Sequence, residues 1–219
     1  MTARPRRSAR PDLPKNTTMT KKRWLILLTY LVVLSGGVLG GFLISGRLSE
    51  QRRGENEMSD NHFTVDHVRR TTDKPFEDVA TAFERQLGRF EPGVYQALAA
   101  GGDAEGARAR IEAMAGPSGF MLFGTQDHGS LLRLAGQKRK AIQYVVGNPL
   151  FALQMTQHDI RASLYAPLRV LIYEDEQGKT CVEYDRPSSL FGQFGNDRIA
   201  PTAAMLDRKL EALLSASFE

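Results

Sequence analysis

The chain has 219 residues, 42% of them apolar, and a formal charge of +4 from 29 Lys and Arg against 25 Asp and Glu. That composition is globular and leaves room for one full domain and an appendage rather than two large domains. A single cysteine, Cys181, excludes an internal disulfide framework and a Cys-based zinc site.

The positive charge is concentrated at the N-terminus. Residues 1–58 hold 11 Lys and Arg against 4 Asp and Glu, which leaves 18 against 21 for the rest. The globular part is therefore mildly acidic, and no nucleic-acid partner is expected. Its one basic cluster, Lys138, Arg139 and Lys140, lacks an aromatic or Gly-rich phosphate cradle and reads as solvated.

Residues 1–23 form a basic tail. Residues 24–46, WLILLTYLVVLSGGVLGGFLISG, are uncharged and match the roughly 20 residues that cross a bilayer as a helix. The run exceeds the ordinary core of a cleaved signal and lacks an A-x-A site, so it reads as a single-pass anchor. Eight Lys and Arg precede it and Arg47, Arg52 and Arg53 follow. The positive-inside rule then predicts a cytoplasmic N-terminus in the inner membrane and an exported domain. Initiation at Met19 would erase that bias, and initiation at Met58 would remove the anchor and leave the domain cytoplasmic. Residues 47–61 are linker, and the domain is expected over 62–216.

Residues 63–71, FTVDHVRRT, read as a first strand. Phe76, Val79, Ala80, Phe83, Leu87 and Phe90 then recur at helical spacing, with Pro75 tolerated in the first turn. Residues 93–115 read as a helical excursion in two pieces, divided by Gly101-Gly102 and closed by Gly116-Pro117. GFMLFGTQ (119–126) and KAIQYVVG (140–147) are strands joined by a loop, DHGSLLRLAGQKR. Asn148 caps a helix with Pro149 at its first position, and Phe151, Ala152, Met155 and His158 share one face of it. RVLIYED (169–175) and KTCVEYD (179–185) form a hairpin through EQGK, with Cys181 a small buried strand residue. Ile199, Ala203, Leu206, Leu210 and Leu213 mark a last amphipathic helix. The predicted fold is α+β: a single largely antiparallel sheet with helices packed on one face, preceded by one transmembrane helix.

The stretch YVVGNPLFALQMTQHDIRASLYAPLRVLIYEDEQGKTCVEYDRPSS resembles the bacterial family called domain of unknown function 302. The likeness rests on Asn148-Pro149, the Ala/Met-rich helix, Pro167 before the next strand, the acidic-Gly hairpin and Pro187 after it. GRFEPGVY and AGPSGFMLFGTQDHGSLLRLAG extend it over about residues 62–216. The resemblance implies a compact α+β domain and carries over no catalytic positions. Many relatives have a Cys directly after the proline, where this chain has Leu168. That departure puts any thiol or metal chemistry of such relatives in doubt here.

No G-x-S-x-G, Walker A or Rossmann fingerprint occurs. Ser118 in GPSG reads as a turn. His62, His67, His128 and His158 form no H-x-x-x-H pair, so no metal site and no cofactor are expected. His62 reads as exposed linker, and His67, on the face of Phe63 and Val65, as a structural strand-end residue. Two places allow a proton-transfer pair: Asp127 with His128 in a loop between strands, and His158 with Asp159 at the end of a helix. In the Gly-flanked loop SSLFGQFGND (188–197), Phe191 and Phe194 either form a lid over an apolar cleft or plug the end of the sheet. With Met155 they are the candidate ligand contacts, in a cleft between helix 149–158 and the sheet.

These features point to a membrane-tethered module that binds a small molecule or a protein partner. The alternatives are an enzyme using a His/Asp acid-base pair and a structural module forming a homo-oligomer through the exposed sheet face.

Overall fold

The computed structural model describes residues 60–219, so the predicted tail, the membrane span and most of the linker lie outside the described residues. Among the described residues no helix is long and apolar enough to cross a membrane. The chain divides at Met58/Ser59 into two units, of which the second, Ser59–Glu219, is compact. The second holds the sheet and both apolar clusters of the described residues, and it is therefore a self-contained folding unit.

Its strands are β1 (His67–Thr72), β2 (Gly88–Arg89), β3 (Met121–Asp127), β4 (Ala141–Gly147), β5 (Leu168–Glu174) and β6 (Thr180–Asp185). They form one six-stranded sheet in the order β1-β6-β5-β4-β3-β2. Each pairing is antiparallel except that of β2, which runs parallel to β3, so the sheet is mixed. The helices are α1 (Phe76–Arg85), α2 (Gly93–Ala99), α3 (Ala104–Met114), α4 (His128–Leu132), α5 (Pro149–Thr156), α6 (Pro187–Gly192) and α7 (Ala200–Phe218).

Strand periodicity and helix periodicity meet in the core. Val68, Tyr144, Val146, Val170, Ile172, Val182 and Tyr184 face one side of the sheet at every second position. Against them pack Phe76, Val79 and Phe83 of α1, and Leu206, Leu210 and Leu213 of α7. Val79, Phe83, Tyr144 and Leu210 are fully buried, and each such side chain contributes roughly 1.5–3 kcal/mol relative to exposure. A second cluster, Val94, Ala107, Ile111 and Met121, seats α2 and α3 at the β2–β3 edge.

The β5–β6 hairpin closes where its turn chemistry says it should. Asp175 Oδ1 accepts from the backbone amides of Gln177 at 2.9 Å and Lys179 at 3.0 Å. Gly178 takes φ +76°, which an L side chain rarely adopts.

Several boundaries differ from the sequence expectation. β1 starts at His67, not Phe63, because its partner strand ends at Asp185, opposite His67, before Pro187 opens α6. The loop expected between β3 and β4 carries α4 and a 3-10 turn at Arg133–Ala135. The loop expected at 188–197 begins as α6, with Pro187 in its first turn. The connection before Pro167 coils into a 3-10 segment, Ile160–Tyr165. Helices are also not confined to one side. Leu132 of α4, and Leu164 and Tyr165 of the 3-10 segment, border hollows on the opposite face at its two ends.

Candidate functional site

Alternation places Ala141, Gln143 and Val145 of β4 on the face opposite Tyr144, together with Arg169, Leu171 and Tyr173 of β5. Gln126 pairs with Gln143, and Glu183 with both Leu171 and Arg69, so this uncovered face is continuous from β3 to β1. The open face holds two hollows that meet at Gln143. One, of about 540 Å³, has Gln126, Gln143, Val145 and Arg169 as its floor and Leu164, Tyr165 and Leu190 on its rim. The other, of about 310 Å³, lies under His128 and Leu132 over Ala141, Leu171 and Tyr173. Together they make a trough that joins a polar hollow, with the Gln126 and Gln143 amides, the Arg169 guanidinium and the Asp185 carboxylate, to a mainly apolar one edged by Arg139, Lys140 and Glu174. Among the described residues no carboxylate lies within 4.0 Å of the Arg169 cation; Asp185, which lines the same hollow, is held by His67.

Beside the trough, β1 and β6 carry a charged network. His67 Nδ1 is 2.9 Å from Asp185 Oδ1, and its Nε2 is 3.0 Å from Glu183 Oε2. Glu183 Oε1 accepts from the Tyr173 hydroxyl at 2.6 Å and lies 3.4 Å from Arg69 Nε. The contacts with Asp185 and then Glu183 raise the His67 pKa from its ordinary value, against a smaller opposing effect of burial. Burial and then the Glu183 hydrogen bond push the Tyr173 phenol far up, so it stays a donor. Burial works upward on Glu183, but the donors Tyr173 and His67 outweigh it and hold the carboxyl below its usual value. Cys181 is fully buried beneath this network, its sulfur 3.2 Å from an Arg69 nitrogen. His67 opens β1, the strand-end position read from the sequence, and its side chain, 54% exposed, bridges two acids.

The candidate acid-base pairs are not assembled. Asp127 caps α4, its carboxylate accepting from the Ser130 amide at 2.8 Å and from the Ser130 hydroxyl. The Ser130 hydroxyl and amide hold its pKa below the usual aspartate value. Asp159 caps the 3-10 segment and binds Arg161 through both oxygens, at 3.0 and 2.7 Å. The Arg161 guanidinium is the main reason its pKa is lowered. Neither carboxylate is hydrogen-bonded to the imidazole beside it. His158 makes backbone contacts, its amide donating to Met155 and its carbonyl accepting from Asn196 Nδ2. His128 borders the smaller hollow of the trough, whereas His158 lines neither.

The cleft expected beside α5 exists only as an apolar cavity of about 60 Å³, whose lining includes Phe120, Phe123, Met155, Phe191 and Leu206. That is far below the roughly 300–1,000 Å³ of a small-molecule site. Met155 and Phe191 meet there; Phe194 instead packs at a tilt against Tyr165, with ring centroids 6.0 Å apart, beneath the Arg161 guanidinium. The aromatics of 191–194 are packed as a plug. Gln154 is exposed, on the solvent side of α5. Among the described residues no group of three His, Cys, Asp or Glu is placed to hold a metal ion.

Sequence reasoning missed Gln126, Gln143 and Arg169. A signal was present, since Gln143 alternates with Ile142 and Tyr144, and Arg169 with Leu168 and Val170. Alternation assigns each to the outer face of its own strand without saying which strands lie side by side.

Comparison with known proteins gives a family and a similar solved structure. The family model described as Domain of unknown function DUF302 matches residues 96–217. The match starts within α2, later than the expected position 62. No curated protein matches. Among solved structures the chain is similar to one titled as an uncharacterized conserved protein DUF302 from Bacillus stearothermophilus. The likeness has 15% sequence identity and a TM-score of 0.49, covering 69% of this chain and 97% of that one.

Proposed function

The chain belongs to the domain of unknown function DUF302 family, and on that premise we propose that it is a binding module whose working surface is the open face of the sheet. The observation that carries this reading is the trough, with Arg169 beside Gln126 and Gln143 in one hollow and the apolar Ala141 and Leu171 lining the other. Its chemistry suits an elongated molecule or partner segment with an apolar body and one carboxylate or similar anion. The tether of this module would be residues 24–46, holding it at the exported face of the membrane.

An enzyme built on His128 or His158 has less support, because Asp127 and Asp159 are engaged by Ser130 and Arg161. A homo-oligomer through the same sheet face competes for the same surface.

The test uses residues 59–219, a compact unit. A thermal-shift screen against apolar carboxylates is expected to find compounds that raise the melting temperature, with the rise lost in Arg169→Ala. A panel in which no compound shifts the protein, or whose shifts survive Arg169→Ala, overturns the reading. Light scattering that shows a stable dimer, dissociated by charged substitutions at Val145 and Leu171, assigns the face to oligomerisation instead.

A further inference from the structure

Between β3 and β4 the chain folds into a knuckle, His128–Lys140, whose base is locked. Gly129 is buried where a Cβ would stand 2.6 Å from the Arg139 carbonyl oxygen and 2.8 Å from the Ala141 nitrogen, so α4 lies directly on the returning chain. Toward the tip, Gly136 N donates to the Arg133 carbonyl at 3.0 Å and Gln137 N to the Leu132 carbonyl at 3.1 Å. The segment is therefore a hydrogen-bonded projection rather than a slack loop.

This frame presents an unusual surface. Leu131 is 59% exposed and Leu134 87%, the highest exposure among the large apolar side chains described. Beside them stand Arg133, Lys138, Arg139 and Lys140, and no Asp or Glu occurs in sequence between Asp127 and Asp159. Lys140 turns back to Glu77 at 2.6 Å and Glu174 at 3.2 Å, and Arg139 to Glu176 at 3.1 Å. Among the described residues Arg133 and Lys138 have no carboxylate within 4.0 Å. They line one hollow of about 580 Å³ with Gly136 and Gln137.

A single exposed leucine is ordinary; two on a rigid tip flanked by unpaired cations call for a partner that is apolar and anionic at once. A soluble polyanion satisfies the cations and leaves both leucines in water, and the knuckle carries no Phe, Tyr or Trp for base stacking. An anionic bilayer satisfies both, because its phosphates lie directly above its hydrocarbon. We propose that the knuckle is a membrane-contact element: Leu131 and Leu134 enter the boundary between headgroups and acyl chains, and Arg133 and Lys138 sit at the phosphate level. The contact needs neither the trough nor residues 24–46.

The experiment is flotation of residues 59–219 with phosphatidylcholine vesicles, with and without phosphatidylglycerol. Binding is expected only to the anionic vesicles and to fall as salt rises. Leu131→Ser with Leu134→Ser is expected to weaken it roughly tenfold or more, and Arg133→Ser with Lys138→Ser to remove the preference for phosphatidylglycerol. Ile160→Ser, 73% exposed and outside both the knuckle and the trough, is expected to bind as the parent does. No flotation with anionic vesicles overturns the proposal, as does flotation insensitive to both double variants. Binding to polyglutamate or DNA without binding to vesicles overturns it in favour of a soluble polyanion.

Discussion

His67 Nδ1 lies 2.9 Å from Asp185 Oδ1, across the β1–β6 pairing, while the opposite ring nitrogen reaches Glu183. A neutral imidazole has one N–H to donate, so both contacts are hydrogen bonds only when the ring is protonated. Its pKa is raised in the folded state, first by Asp185 and then by Glu183. The linked stability is therefore complete below the unfolded value near 6.5 and is lost as pH rises through the folded value. The melting temperature of the parent minus that of His67→Gln is expected to be larger at about pH 5.5 than at about pH 8.5. A difference that does not change with pH rules the bridge out as a titrating contact. Because the ring is largely exposed, the effect is small.

Tyr144 is fully buried and its hydroxyl donates to Glu84 Oε1 at 2.8 Å. Glu84 is exposed and keeps water as an alternative partner, so Tyr144→Phe is expected to cost about 0.5–1.5 kcal/mol. Tyr144→Ala also removes the packing of its ring against Phe83, 5.0 Å away between centroids, and is expected to cost about 3–5 kcal/mol. Urea denaturation of the two variants checks the separation.

Asn148 is buried and uses both ends of its amide. Oδ1 accepts from the Leu150 amide at 2.8 Å, which caps α5, and Nδ2 donates to the Gly119 carbonyl at 2.8 Å, which ties that helix to the start of β3. Asn148→Ala loses a cap of about 1 kcal/mol and leaves a carbonyl short of its donor. A total of roughly 2–3 kcal/mol is expected from denaturant midpoints, and Asn148→Asp, which keeps the cap acceptor but not the donor, is expected to fall between.

His128 and His158 make no side-chain hydrogen bond among the described residues, so His128→Ala and His158→Ala are expected to leave stability within about 0.5 kcal/mol. Asp159→Ala removes both the cap on Arg161 N and the Arg161 ion pair, and is expected to lower the melting temperature more than either histidine change. A large loss on His158→Ala would show that its ring is structural after all.

Much of the fold was legible because its signals are local. Asn148-Pro149 starts α5, EQGK turns the hairpin, and the 3.6-residue apolar period of α7 buries Leu206, Leu210 and Leu213 as read. Asp127, Ser130 and Gly129 escaped notice as helix-forming residues because a five-residue helix contains too few turns to show a period.

The candidate site was legible only in parts. Sequence alone determined which residues share the outer face of each strand, because side chains alternate along a chain whatever it pairs with. Tertiary structure decided which faces adjoin. It brought His67 to Asp185 across 118 positions and set Gln126 against Gln143 and Leu171 against Glu183. It also reduced the cleft beside α5 to about 60 Å³. Strand order and the fit of helices onto a sheet are settled by packing among segments far apart in the chain, and no window of sequence contains both partners.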